Sequence, residues 1–142
     1  MEKNRKCVMV MDEALAPGIA ANTAALLGMT LGSRVQDAIG CDVKDADGHT
    51  HMGILQIPLP ILKLNTERLQ ELRRQLFDKE YEDLTIVDFS DAAQTCNVYE
   101  DWIKKAEQLP EEEFHYLACG NSSAGRKSFH TTSRYPGVPA AG

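Results

Sequence analysis

Three apolar runs stand out along the chain, with apolar residues at helical spacing between them. The first, Cys7-Val8-Met9-Val10-Met11, is unbroken and partly β-branched. That pattern predicts a strand covered on both faces. Leu84-Thr85-Ile86-Val87-Asp88-Phe89 and Phe114-His115-Tyr116-Leu117-Ala118-Cys119 predict two more strands, and Ile61-Leu62-Lys63-Leu64 a shorter one. Pro58 and Pro60 confine the segment around Leu59 to a sheet edge or an irregular piece, because proline cannot donate to a ladder.

The helical segments differ in character. Pro17 suits a helix's first turn, and the alanine-rich stretch Ile19 to Leu31 continues it. No charge occurs between Glu13 and Arg34, so this helix is expected to be buried on all sides. Gly32 is expected to end it. Asn65 is a good N-cap for a second helix reaching about Lys79. There Leu69, Leu72, Leu76 and Phe77 form an inner face, and Arg68, Glu71, Arg73 and Arg74 an outer one. Val98, Trp102, Ile103 and Ala106 mark a third helix up to Leu109. Residues 34–57 read as extended chain around a turn at Asp45-Ala46-Asp47-Gly48.

Strands alternating with helices predict one α/β domain over residues 1–119, with helices on both faces of a partly parallel sheet. From Gly120 onward the chain is rich in Gly, Ser, Thr and Pro. A poorly ordered tail is expected over 120–142.

Composition narrows the classes. A length of 142 residues suits one domain. No apolar stretch reaches the roughly 20 residues that span a bilayer, and the run after the charged start is too short for a signal peptide. A cytoplasmic protein without membrane contact is the expectation. The net charge of −6 is uneven: residues 78–113 hold twelve acidic and three basic groups. Such a surface repels phosphate backbones, so nucleic acid is not an expected partner. Cys7, Cys41, Cys96 and Cys119 form no CxxC pair and are expected as free thiols, Cys7 and Cys119 buried.

Candidate chemistry is sparse. There is no phosphate loop, nucleophile elbow or HExxH. Asp45-Ala46-Asp47-Gly48 resembles part of a calcium loop, but Val43 and Ile54 stand where ligands are needed. His49 and His51 would share one strand face and could ligate a metal. No third ligand is evident nearby, so no metal and no cofactor is assigned. Asp88 and Asp91 lie at the carboxyl end of a predicted strand, where sites of open α/β sheets collect. Asp91 could equally cap the next helix. Asn22 and Thr23 are polar residues inside an apolar helix; they face the same edge or bond within the core.

Val10-Met11-Asp12-Glu13 with Pro17–Asn22, the Asp45–Gly48 turn, and Val87-Asp88-Phe89-Ser90-Asp91-Ala92-Ala93-Gln94 together resemble an uncharacterised, mainly bacterial family. It is catalogued as domain of unknown function two-thousand, and the likeness covers residues 6 to about 119. That family is similar in fold to peptidyl-tRNA hydrolase II, which implies a three-layer α/β/α sandwich around a small mixed sheet. Asp91 and Thr95 then match the hydrolase's functional Asp and Thr, with Ala93 replacing its glycine. Its lysine falls on Gly18.

Three functions follow as expectations. One is a small-molecule or peptide-binding module whose pocket lies between Asp12, Asn22, Asp91 and Thr95, with Asp88 as a further ligand-binding residue. Another is an ester or amide hydrolase with Asp91 and Thr95 as catalytic residues, Asp91 orienting water. The last is a structural protein forming a homodimer through exposed apolar edges.

Overall fold

A computed structural model of the protein describes residues 5–123. The elements follow the order β1 (Lys6–Asp12), α1 (Pro17–Arg34), β2 (Val43–Lys44), β3 (Thr50–His51), β4 (Ile61–Leu64), α2 (Thr66–Gln75), β5 (Thr85–Ser90), α3 (Asp91–Gln94), α4 (Tyr99–Gln108) and β6 (Tyr116–Ser123). The mixed α/β character is as the sequence predicts. Four strands form one sheet in the order β4-β1-β6-β5, and β2 and β3 form a separate hairpin. β1 pairs β4 in parallel, and β6 runs antiparallel to both β1 and β5. Strands β1, β4 and β5 therefore end at one edge of the sheet.

The two-residue period of a strand divides the core between two faces. Val8 and Val10 pack with Leu62, Leu64, Cys119 and the α2 residues Leu69 and Leu72. Met9 and Met11 point the other way, onto Leu27 of α1, with Ala20 and Ala24 beside them. The continuous apolar run of β1 is thus the consequence of burial on both sides.

Asn65 caps α2 as expected: its side-chain oxygen accepts from the Arg68 N–H at 2.9 Å. The helix ends at Gln75, short of Lys79, and Lys79–Tyr81 form a separate 3-10 turn that buries Tyr81. The outer face contains one exception. Arg73 is buried; its Nε donates to Asp88 Oδ2 at 2.7 Å, and its guanidinium lies 3.8 Å from the centre of the Phe77 ring. Phe77, expected inside, is exposed and roofs this ion pair. A carboxylate at mid-strand needs a partner when burial removes its water, and Arg73 is one turn from the surface.

α1 departs from its expectation. Only Thr23, Leu27 and Leu31 are fully buried, and Met29 is 82% exposed. The helix lies on the sheet by one stripe, and no described element covers its outer side. It also runs past Gly32. A glycine inside a helix costs only about 1 kcal/mol, and the extra turn delivers Val35 into a cluster with Cys7 and Leu31.

β6 continues to Ser123 instead of stopping at Cys119. Gly120 to Ser123 carry turn-forming side chains, yet backbone pairing to β1 on one side and β5 on the other holds them in the sheet. Asn121, Ser122 and Ser123 are buried, and the side chains of Asn121 and Ser123 have unpaired polar atoms. The rest of the expected tail, residues 124–142, lies outside the described residues. Among the described residues no helix is long and apolar enough to cross a membrane.

Candidate functional site

Asp12 ends β1 and is buried. Its carboxylate accepts the Ala14 N–H at 2.8 Å and the Thr66 hydroxyl at 2.9 Å. It fastens the β1–α1 loop to the start of α2, and both oxygens are engaged. Asp88 lies on β5 with its carboxylate turned to Arg73 on the α2 side. Asn22 is exposed on α1, on the other side of the sheet. These three residues do not meet.

Asp91 opens α3. Its Oδ1 accepts from the N–H groups of Ala92 at 2.7 Å and His115 at 3.2 Å. Ser90, not Asp91, is the N-cap of α3, and no side chain caps the helix; Asp91 instead ties the first turn of α3 to the segment that leads into β6. Thr95 ends the same turn: its hydroxyl donates to the Ala92 carbonyl at 3.1 Å, and Lys105 Nζ donates to it at 2.8 Å. Asp12 and Asp91 do share the carboxyl-end edge, but β6 stands between β1 and β5. That separates their strands by about 10 Å, two inter-strand spacings. The predicted pocket among Asp12, Asn22, Asp91 and Thr95 is therefore not a single hollow.

A hollow does exist, on the α1 side. A cavity of about 490 Å³ lies between α1, β5 and the α3–α4 segment, lined by Leu26, Thr30, Val87, Phe89, Cys96 and Trp102 among others. A second, of about 460 Å³, continues along β5 and shares Thr30 and Val87 with the first. Of the sequence-nominated residues only Asp88 borders this groove. Ala93 and Cys96 present α3 to it. Cys96 is half-buried, and its thiol donates to the Ala92 carbonyl at 3.3 Å.

The walls explain the shape. β5 is the outer strand and pairs only β6, so its other edge meets no strand among the described residues. α4 is amphipathic but has no buried side chain. Trp102 touches Phe114 edge-on at 6.0 Å, and the helix otherwise borders the cavity. The groove's residues come from three segments and mix apolar side chains such as Leu26, Val87 and Trp102 with Thr30, Arg34 and Asn97, so no motif could announce them. The absence of charge over α1 was the available signal.

The opposite face is closed and polar within. Gln70 exchanges two hydrogen bonds with the Tyr116 backbone, at 2.8 and 2.7 Å. The Tyr116 hydroxyl donates to Glu111 Oε1 at 2.7 Å. Burial first, then that glutamate, hold the phenol protonated far above its ordinary range. The Cys119 thiol, wholly buried nearby, is pushed up to about 12 by desolvation. Neither group is poised to react near neutral pH.

The fold has a solved counterpart. A protein of unknown function from Agrobacterium tumefaciens strain C58, Atu0240, superposes with a TM-score of 0.75 at 12% identity, over 84% of this chain and 87% of that one. No curated protein matches. The family described as "Protein of unknown function (DUF2000)" matches residues 5–126, and the chain belongs to that family.

Proposed function

We propose that the protein is a binding module that takes an extended apolar peptide along the edge of β5 that no described strand pairs. The observation that carries this reading is the double cavity, about 490 and 460 Å³, whose parts share Thr30 and Val87 beside that edge. Strand addition needs two things: unpaired backbone donors and acceptors, and hollows for alternate side chains. The groove offers both. A small apolar molecule would use the same walls, and a second copy's β5 is the competing occupant. The acidic net charge disfavours nucleic acid.

The protein has one tryptophan, and Trp102 lines the cavity. Its fluorescence therefore reports occupancy directly. Peptides with alternating apolar residues are expected to shift the emission saturably. Thr30→Arg, at an exposed position where the two hollows meet, is expected to abolish the shift without lowering Tm. Dimerisation that peptides cannot displace, with no emission change, would replace this reading by the homodimer.

A second reading, hydrolysis of an ester or amide, draws support from one contact. Lys105 Nζ donates to Thr95 Oγ1 at 2.8 Å, placing a cation beside Thr95 where the loop before α1 has none. In that reading Asp91 orients the attacking water, and the likeness to peptidyl-tRNA hydrolase II with its three layers belongs to the same proposal. Turnover of model aminoacyl esters, lost in Asp91→Ala, is its expected result. An intact protein that turns over none of them removes it.

A further inference from the structure

The sequence assigns no metal because His49 and His51 lack a third ligand. In the folded chain that ligand comes from across the hairpin. β2 and β3 pair antiparallel with Val43 opposite His51 and Lys44 opposite Thr50. One step further on, the Asp45 N–H donates to the His49 carbonyl at 3.0 Å, so Asp45 faces His49 directly. His51 is two residues on and shares that face. Asp45 Oδ2 lies 3.3 Å from His49 Nδ1 and 3.0 Å from His51 Nε2. Asp47, in the turn, brings a carboxylate oxygen within 4.8 Å of donor atoms on both Asp45 and His49.

We propose that the tip of the β2–β3 hairpin binds a divalent transition-metal ion of the zinc class through Asp45, Asp47, His49 and His51.

The donor set decides the class of ion. Two imidazoles and two carboxylates suit zinc and its neighbours, whereas calcium and magnesium take oxygen ligands. The spacing around Asp45 also fits. A tetrahedral ion with bonds of about 2.0–2.1 Å separates its donors by about 3.3 Å. Both imidazole nitrogens already stand at that kind of distance from Asp45 Oδ2. His49 and His51 have side chains 76% and 61% exposed, so their rings turn onto an ion without disturbing any packing.

The hairpin holds the central donor in place. Asp45 Oδ1 accepts the N–H groups of Asp47 at 2.9 Å and His49 at 3.0 Å, which aims Oδ2 at the two imidazoles. Gly48, at φ 87°, allows the tight turn that places Asp47 above the pair. At the base, a Cβ on Gly53 would collide with the Gly40 carbonyl, so the two chains cross closely there. The hairpin tip is thus ordered by its own backbone, apart from the groove along β5.

The test is a calorimetric titration of the full chain with zinc chloride. One equivalent is expected to bind. His49→Ala and His51→Ala should each weaken binding by more than the about 10–100-fold that losing an outer-shell partner costs, and the double variant should lose it. Asp47→Asn should weaken it less. Cys41→Ser should leave it unchanged. With nickel, the imidazole resonances of His49 and His51 should broaden while those of His115 stay sharp. All four positions are exposed, so the metal-free Tm of each variant is expected to match the parent and serves as the folding control. Full binding retained in the His49→Ala/His51→Ala variant, or no heat at millimolar zinc, would overturn the proposal.

Discussion

The two faces of the sheet are built from opposite materials. The α2 face is sealed: Leu69, Leu72, Leu76 and Tyr81 close over β1 and β4, and two buried links on it, Arg73–Asp88 and Gln70–Tyr116, tie α2 to β5 and β6. The α1 face has no charge on its helix before Arg34, yet it stays open, with a groove between α1, β5 and α4. Charge inside the closed face therefore serves the fold, while the apolar open face is where a ligand would gain by entering. A carboxylate in a predicted strand marks structure in this molecule, and a charge-free helix marks accessible surface.

The largest expected contrast is in the cost of losing a leucine on each face. Leu69 is fully buried, whereas Leu26 is 37% exposed and lines the groove. Leu69→Ala should cost about 2–5 kcal/mol, the usual range for a buried leucine truncation. Leu26→Ala should cost under about 1 kcal/mol, as surface changes do, but reduce the response of Trp102 to peptide. Urea denaturation of both variants measures this. Equal costs would mean the α1 face is as closed as the other.

The next contrast concerns the buried pair. Arg73→Met removes the partner of Asp88 and leaves a half-buried carboxylate on the closed face. Breaking a buried pair costs about 3–5 kcal/mol; since the Asp88 side chain keeps 28% exposure, about 2 kcal/mol is expected after discounting for solvent. Arg73→Met with Asp88→Leu should recover most of that loss, because matched apolar residues substitute well for buried ions. If the double variant is no more stable than the single, the pair does more than satisfy burial.

Legibility in the sequence follows the same division. Elements driven by apolar periodicity were readable: β1, β4, α2 with its Asn65 cap, and β5 all sit where the pattern places them. The failures arose where long-range pairing overrides local chemistry. Gly120-Asn121-Ser122-Ser123 has turn composition, yet β1 and β5 hold it on both sides. Arg73 reads as surface on a helical wheel, and only the position of Asp88 explains its burial. The nominated carboxylates Asp12, Asp88 and Asp91 carry no sign in the sequence of what engages them, because Thr66, Arg73 and the His115 N–H reach them from distant segments. The groove is assembled from separated positions, and Asp45 reaches His49 and His51 only through the hairpin register.

The smallest expected effect concerns a cysteine on the closed face. Cys119 is wholly buried on the α2 side, and desolvation lifts its thiol from 9.0 to about 12. The unfolded chain releases that proton at a lower pH than the folded chain does. Above pH 9 the folded state thus holds more protons, and stability must fall as pH rises until both states are ionised near 12. The contribution is complete below pH 9, and about 1 kcal/mol of it should be gone by pH 10. Tyr116, also raised, adds a further loss at higher pH. Cys119→Ala should flatten the slope between pH 8.5 and 10 (~1.5 units straddling the ordinary thiol range), whatever it costs in packing at pH 7. Urea midpoints at several pH values measure this. If Cys119→Ala leaves the slope of the parent intact, burial on the closed face does not hold this thiol protonated, and the contrast between the two faces fails at its most buried point.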